Sequence, residues 1–171
     1  LADLDDNTDD YSLDDYDGQP CVMGVDVGIR MHVVIREDIS APYPPGSSLV
    51  GSRRSERLPK LWYAGDLGEI EDVEQLMARF NVRSVVIDAL PETRIARDFA
   101  NRHREVNLAY YTTNTGKYEW VDTNRDRPGH VKIDRLLGMD EMYAGLRNGT
   151  TRLPVNAREV GGHVNGDGYG E

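Results

Sequence analysis

The middle of the chain alternates three short apolar runs with two amphipathic stretches, and this alternation constrains the fold more than any other feature. The runs are "LWYAGDL" (61–67), "VRSVVID" (82–88) and "VNLAYYT" (106–112). Each has the length and composition of a strand. The stretches between them, residues 69–80 and Pro91 to about Arg104, place apolar residues at helical spacing. Helical crossovers of this kind connect parallel neighbours in one sheet.

Two further strands are predicted before this alternation. The runs "VMGVDV" (22–27) and "MHVVIRE" (31–37) flank a short turn, so they are expected to form an antiparallel hairpin. Residues 39–60 hold four prolines and two glycines, which predicts a long loop. Residues 133–149 predict a last helix, and residues 150–154 a short edge strand. The fold class is therefore α/β, with a mixed sheet of three antiparallel strands, then parallel crossovers, flanked by helices.

Charge is distributed unevenly along the chain. The net charge is -10, but residues 1–17 alone hold eight of the 30 acidic residues and no basic residue. Such a run is typical of a solvated, poorly ordered tail, so residues 1–20 are predicted to be a linker and residues 21–171 one domain. Basic residues cluster elsewhere, and the candidates for DNA phosphate contact are Arg53, Arg54, Arg57, Lys132 and Arg135. A solvated loop is an equally good interpretation of the first three.

The sequence argues against a secreted or membrane-embedded protein. Cys21 is the only cysteine, which excludes an internal disulfide and fits a reducing cytoplasm. No apolar run approaches the roughly 18 residues that a membrane span requires. The acidic N-terminal stretch also lacks the basic start of a signal peptide.

Two aspartates occupy similar positions near the ends of two predicted strands. Asp26 lies toward the end of the first strand, and Asp88 ends the fourth. These strands are predicted to be parallel neighbours, so both carboxylates are expected at the carboxyl edge, where open α/β sheets place their sites. Two close carboxylates repel each other unless a cation lies between them, and hard oxygen ligands suit Mg²⁺ or Mn²⁺. The alternative is that both aspartates cap turns.

Three stretches of the chain, in this order, carry a family resemblance. They are "GVDVG" (24–28), "VVIDALPET" (85–93) and "VKIDRLLGMDEMYAGLRNGTTRLP" (131–154). The chain resembles the ribonuclease-H-like superfamily of nucleases, integrases and resolvases, and within it the nuclease domain of the large terminase subunit of tailed phages. The resemblance implies a ribonuclease-H-like fold, with Asp26 and Asp88 as catalytic residues and metal ligands.

The same resemblance implies an activity, cofactors and partners. It implies a Mg²⁺- or Mn²⁺-dependent endonuclease that cleaves concatemeric phage DNA with little sequence specificity, by two-metal phosphodiester hydrolysis. The implied partners are double-stranded DNA, the terminase ATPase domain, the small terminase and the portal protein, in the cytoplasm of a bacterial host.

The chain departs from the family pattern in two respects. Large terminases carry an ATPase motor, but "GSSLVGSR" (46–53) lacks the lysine of a phosphate-binding loop, so the chain is interpreted as an isolated C-terminal domain. A third acidic metal ligand is also expected, either Asp167 or a residue beyond position 171. Asp134 and Asp140 are weaker candidates. Because Asp167 lies in a glycine-rich stretch, the second metal ion is expected to bind weakly.

Two other interpretations stay open from the sequence. One is a non-catalytic module of the same fold that docks DNA or the portal protein through its basic clusters. The other is a phosphate-binding domain related to actin-like ATPases, since "DVG" (26–28) after a first strand also suits a phosphate-binding turn.

Overall fold

The structure, a computed structural model, describes residues 8–12, 15–40, 58–91, 93–121 and 128–154. Within these ranges the chain forms nine strands and three helices. The strands are β1 (Thr8–Asp9), β2 (Cys21–Val27), β3 (Met31–Glu37), β4 (Leu61–Leu67), β5 (Val82–Asp88), β6 (Val106–Thr112), β7 (Tyr118–Val121), β8 (His130–Asp134) and β9 (Leu153–Pro154). The helices are α1 (Ile70–Arg79), α2 (Thr93–Arg102) and α3 (Arg135–Arg147).

Seven strands form one mixed sheet in the order β4-β3-β2-β5-β6-β8-β7. Strands β2, β3 and β4 pair antiparallel, whereas β5, β6 and β8 continue the sheet in parallel from β2. Strand β7 closes this edge by pairing antiparallel with β8. The predicted α/β class is confirmed, as is the parallel pairing of the first and fourth predicted strands at the sheet centre.

The main core lies between one face of this sheet and the helices α1 and α2. Alternate residues of β2, from Cys21 to Val27, are buried, while Gly24 and Asp26 between them are exposed. The buried set packs in one cluster with Val73 and Met77 of α1 and with Ala96, Phe99 and Ala100 of α2. Alternation along the strands therefore assigns Asp26 to the face that these two helices leave open.

The sequence-based boundaries differ from the structure mainly after residue 112. Strands β7 and β8 were not predicted, and residues 133 and 134 end β8 instead of beginning the last helix. Strand β7 is exposed along its whole length, so its sequence shows no alternation of buried and exposed positions. The predicted edge strand is confirmed in its last two residues, Leu153–Pro154, which pair in parallel with β1.

Part of the acidic N-terminal segment packs onto the domain. Tyr11 is 4% exposed, and its ring contacts Trp62 edge-on at a centroid distance of 5.2 Å. Tyr16 contacts the same indole at 5.5 Å and Phe80 at 5.1 Å. The boundary of the domain at residue 20 stays a prediction, but side chains before this residue belong to the core cluster and its rim.

None of the helices in the described ranges combines the length and the apolar character needed to cross a membrane.

Candidate functional site

Asp26 and Asp88 lie beside each other on the two central parallel strands. Val25 of β2 pairs with Ile87 of β5, so the next position along each strand brings the two aspartates side by side. Asp26 is exposed and Asp88 is partly buried. The predicted juxtaposition of these carboxylates at the carboxyl edge of the sheet is therefore present in the structure.

The two carboxylates influence each other electrostatically. Burial raises the pKa of Asp88, and the negative charge of Asp26 raises it further. The backbone N–H of Leu90, which donates to Asp88 Oδ1 at 3.0 Å, and the guanidinium of Arg135 act in the opposite direction. The carboxylate form of Asp88 is thus disfavoured in the absence of a cation, as expected for two close acids on one sheet face.

A cleft of about 470 Å³ opens beside this pair. Apart from the two aspartates, its lining comprises Tyr111, Tyr118, Ile133, Arg135, Gly138, Met139 and Met142. Arg135 is the only cation in this set, and its guanidinium carbon lies 5.9 Å from the centre of the Tyr111 ring. Burial and the charges of the two aspartates raise the pKa of Tyr111, so its hydroxyl keeps its proton at neutral pH. The cleft therefore joins an acidic end to a mainly apolar wall.

Asp134 is a structural residue of this region and not part of the carboxylate pair. Its Oδ1 accepts hydrogen bonds from the backbone N–H groups of Leu136 at 3.0 Å and Leu137 at 3.3 Å, which caps the N-terminus of α3. Its Oδ2 accepts from the N–H groups of Thr115 at 2.6 Å and Gly116 at 2.7 Å, which anchors the loop before β7. These bonds occupy both oxygens, and its interpretation as a weaker candidate for the third metal ligand stays a prediction.

Substitution of Asp134 by Ala is expected to lower the melting temperature by several degrees, and substitution by Asn by less, since Asn retains a capping oxygen. The backbone hydrogen bonds that Asp134 accepts lower its pKa, and the bond from the N–H of Gly116 has the largest effect. A lowered folded-state pKa gives stability that is complete above the unfolded-state value of about 3.9 and lost below the folded-state value. Thermal melts should therefore show the deficit of the Ala variant shrinking below about pH 4. An undiminished deficit at pH 2 would contradict the ionic character of this cap.

The two predicted phosphate-contact residues that the structure describes do not share one surface. Arg135 begins α3 and lies at the cleft beside Asp88. Lys132 pairs with Tyr110 in the sheet, one position before Tyr111, and alternation therefore assigns it to the opposite face. Arg53, Arg54 and Arg57 lie outside the described residues, as does Asp167.

The donor set suits one hard divalent cation with water completing its coordination. Two carboxylates, a raised pKa of one acid and an exposed position are consistent with Mg²⁺ or Mn²⁺. Within the described ranges, no three His, Cys, Asp or Glu side chains lie close enough together to hold a metal ion. Asp140, the other weaker candidate, is exposed on α3 and outside the lining of the cleft. A second, firmly held ion would therefore need a ligand from outside these ranges.

The site predicted from the sequence did not include the aromatic and thioether side chains around the two carboxylates. Tyr111 lies in the sheet, is 50% exposed and lines the cleft. The available signal was its position in β6, where it alternates with the more buried Tyr110. Met139 and Met142 gave no such signal, because they belong to a helix whose apolar residues do not form a regular stripe.

The row of neighbouring residues that contains Asp88 and Asp26 continues across β3 to β4. Asp26 pairs with His32 of β3, and His32 pairs with Asp66 of β4. Asp66 forms an ion pair with Arg30. This pairing neutralises the far end of the row, so among the described residues the negative charge of the row is concentrated at Asp26 and Asp88, with Arg135 as the nearby cation.

Comparison of the chain with known proteins finds no matching family model, no matching curated protein and no matching solved structure.

Proposed function

We propose that this protein is a metal-dependent endonuclease domain of a viral DNA-packaging motor, with a ribonuclease-H-like fold. The observation that carries the proposal is the pair Asp26–Asp88 on adjacent parallel strands, with the pKa of Asp88 raised by burial and by the charge of Asp26. A cation that binds between two close carboxylates relieves their mutual repulsion. A cation at an exposed sheet edge beside an open cleft favours hydrolytic chemistry over a purely structural role.

The sheet topology supports the ribonuclease-H-like part of the proposal. Three antiparallel strands are followed by two helical crossovers, with β5 beside β2 and β6 beside β5. This connectivity agrees with the arrangement that the resemblance to large-terminase nuclease domains implies. The third stretch of that resemblance includes α3, which begins beside the carboxylates and supplies Arg135, Met139 and Met142 to the cleft.

Four residues at the cleft have a role in the proposed reaction. Asp26 and Asp88 bind the cation, and Arg135 binds a phosphate oxygen of the backbone at the same end of the cleft. Tyr111 holds Arg135 in place through its ring. When bound, Mg²⁺ or Mn²⁺ would supply Lewis-acid activation of the phosphodiester and stabilise the developing negative charge. Two-metal hydrolysis would need one further acidic ligand from outside the described residues.

Sequence specificity is not part of this proposal. Base recognition needs an element that enters a groove of the duplex, such as a recognition helix or a zinc finger. The cleft offers one cation and several apolar side chains, which suits contact with a sugar–phosphate backbone. Double-stranded DNA, the ATPase domain, the small terminase and the portal protein remain its proposed partners, in a bacterial host's cytoplasm.

The direct test is digestion of supercoiled plasmid by the purified protein. We expect nicked and then linear products with Mg²⁺ or Mn²⁺, and intact plasmid when a chelator is in excess. Equal digestion in chelator would contradict the proposal. The protein concentration should be titrated into the micromolar range, since few phosphate contacts predict weak and salt-sensitive DNA binding.

A second candidate function is docking of a partner protein without catalysis. The observation that favours it is the exposed apolar surface of α3, where Leu136 is 61% exposed, Met142 55% and Tyr143 58%. Exposed apolar side chains grouped on one helix are a feature of interaction surfaces. Binding of the portal protein in chelator, with no cleavage of DNA under any metal condition, would favour this function over the nuclease.

A further inference from the structure

A second cleft, of about 650 Å³, lies between α2 and the strands β6 and β8. The side chains that matter for its chemistry are Arg97 and Asn101 of α2, Leu108 and Tyr110 of β6, and His130 and Lys132 of β8. Its size falls within the range of about 300–1,000 Å³ that is usual for small-molecule sites.

This cleft lies on the opposite side of the sheet from the carboxylate pair. Leu108 pairs with Ile87, which is buried in the core beneath α1 and α2, whereas Asp88 pairs with the next residue, Ala109. Leu108 and Tyr110 therefore share the face of Ile87, and Tyr111 shares the face of Asp88. The two clefts share no lining residue.

The charge of the second cleft is positive, in contrast to that of the whole chain. Arg97 projects from α2 and Lys132 from β8, and the lining that the structure describes contains no carboxylate. Arg97 makes no ion pair with any described residue. Lys132 lies 3.4 Å from Glu119, but each side chain is 46% exposed, so this pair is weak and open to competition from an anion.

Apolar and aromatic surface lies between the cations. Leu108 is 4% exposed and forms part of the floor. The rings of Tyr110 and His130 meet edge-to-face, with centroids 5.9 Å apart and an interplanar angle of 89°. Asn101, on the turn of α2 after Arg97, presents an amide that both donates and accepts hydrogen bonds. A ligand that joins a flat polar ring to an anionic group would match the two cations, the apolar and aromatic surface and the amide of this cleft.

We propose that this second cleft binds a nucleoside monophosphate, with Arg97 and Lys132 on the phosphate and the base against Leu108 and Tyr110. The inference does not rest on the nuclease proposal, because the two sites use different residues on different faces. It assigns to the protein a nucleotide-binding function separate from any chemistry at Asp26 and Asp88.

Binding is measured by isothermal titration calorimetry with deoxyadenosine monophosphate, always in excess chelator. Inorganic phosphate and deoxyadenosine serve as the two halves of the ligand. We expect a dissociation constant below about 1 mM for the nucleotide and at least tenfold weaker binding of either half. Nucleotide binding no tighter than that of phosphate would overturn the assignment of the aromatic floor.

Three variants locate the ligand. Arg97→Gln is expected to weaken nucleotide binding about tenfold through loss of a charge-assisted contact, whereas Arg94→Gln, an exposed arginine of the same helix outside the cleft, should leave it unchanged. Glu119→Gln frees Lys132 and should tighten binding about two- to threefold. Circular dichroism confirms that each variant is folded.

Two results would place the nucleotide elsewhere. Equal affinities of the Arg97→Gln and Arg94→Gln proteins would remove α2 from the site. Loss of binding in Asp88→Asn, measured in chelator, would place the ligand in the carboxylate cleft. Retention of binding by Asp88→Asn together with its loss in Arg97→Gln would support the second site even if the protein cleaves no DNA.

Discussion

Asp88→Asn is expected to reduce metal-dependent cleavage of plasmid DNA by at least about 100-fold, and Asp26→Asn should do the same. Substitution of a residue that only orients a metal ligand commonly costs 10- to 100-fold in metal affinity or activity, so loss of a direct carboxylate ligand should cost at least as much. Asn preserves the shape of the side chain and removes the charge that holds the cation. The measurement is the initial rate of nicking at saturating Mn²⁺.

The matched control for this experiment is Asp98→Asn, an exposed aspartate of α2 outside both clefts, which should cleave at the normal rate. Near-normal cleavage by Asp88→Asn would remove this residue from the site. A reduction of equal size in the Asp98 control would show that the loss has another origin.

Asp88→Asn has a second measurable effect, on the stability of the metal-free protein. Burial and Asp26 raise the folded-state pKa of Asp88, so its ionised form is disfavoured by folding. A carboxyl with a raised folded-state pKa destabilises the protein above that pKa and has no such effect below its unfolded-state value, near pH 4. In chelator, Asp88→Asn should therefore melt at a higher temperature than the wild type at pH 7, and this gain should vanish near pH 3.

Tyr11→Ala is expected to lower the free energy of unfolding by about 3–5 kcal/mol, the range for removal of a large buried aromatic side chain. The ring is 4% exposed and packs on Trp62. Its hydroxyl accepts a hydrogen bond from the N–H of Leu61 at 3.0 Å and lies 2.9 Å from the carbonyl oxygen of Arg152. Urea unfolding of the purified variant gives the value.

Two companion variants separate the contributions of the hydroxyl and of the buried ring of Tyr11 to stability. Tyr11→Phe keeps the ring and should lose only about 1–2 kcal/mol, because the hydrogen bond that the Tyr11 hydroxyl donates to the carbonyl oxygen of Arg152 is lost. Tyr143→Ala removes an aromatic ring that is 58% exposed and should change stability by less than about 0.5 kcal/mol. A loss below 1 kcal/mol for Tyr11→Ala would mean that the N-terminal segment contributes little to the folded state.

The aromatic contacts of the acidic N-terminal segment complicate a test of its charge by deletion. The sequence suggests that deletion of residues 1–17 tightens DNA binding by removing eight negative charges. That deletion also removes Tyr11 and Tyr16 from their contacts with Trp62. Substitution of the segment's aspartates by asparagine is the better test, since it changes the charge and keeps the aromatic contacts.

The central elements were predictable because their residues repeat with the period of the structure they form. The apolar, β-branched runs at residues 22–27 and 31–37, and the helical spacing in residues 69–80, report local geometry that needs no knowledge of the rest of the chain. Strand β5 pairs in parallel with β2, as predicted, and this pairing brings Asp26 and Asp88 together. Helix α1 connects β5 to the edge strand β4, so the place of β5 beside β2 depends on the order of strands in the sheet and not on the crossover alone.

The surroundings of the pair were not predictable in the same way. The role of Asp134 depends on hydrogen bonds from residues 18 or more positions away, at Thr115 and Gly116, as well as from the start of α3. A polar residue that caps a helix and a polar residue that binds a metal have the same sequence signature. Only the position of neighbouring N–H groups separates them.

By itself, the sequence determined the α/β class, the central strands and the carboxylate pair, because periodicity and chain order act locally. Only the tertiary structure decided that Tyr11 belongs to the core, that Lys132 and Arg135 lie on opposite faces, and that Tyr111 borders the carboxylates. The physical reason is that burial depends on which distant segments pack together. Exposed strands such as β7 and anchors such as Tyr11 gain their stability from those contacts and carry little periodic signal of their own.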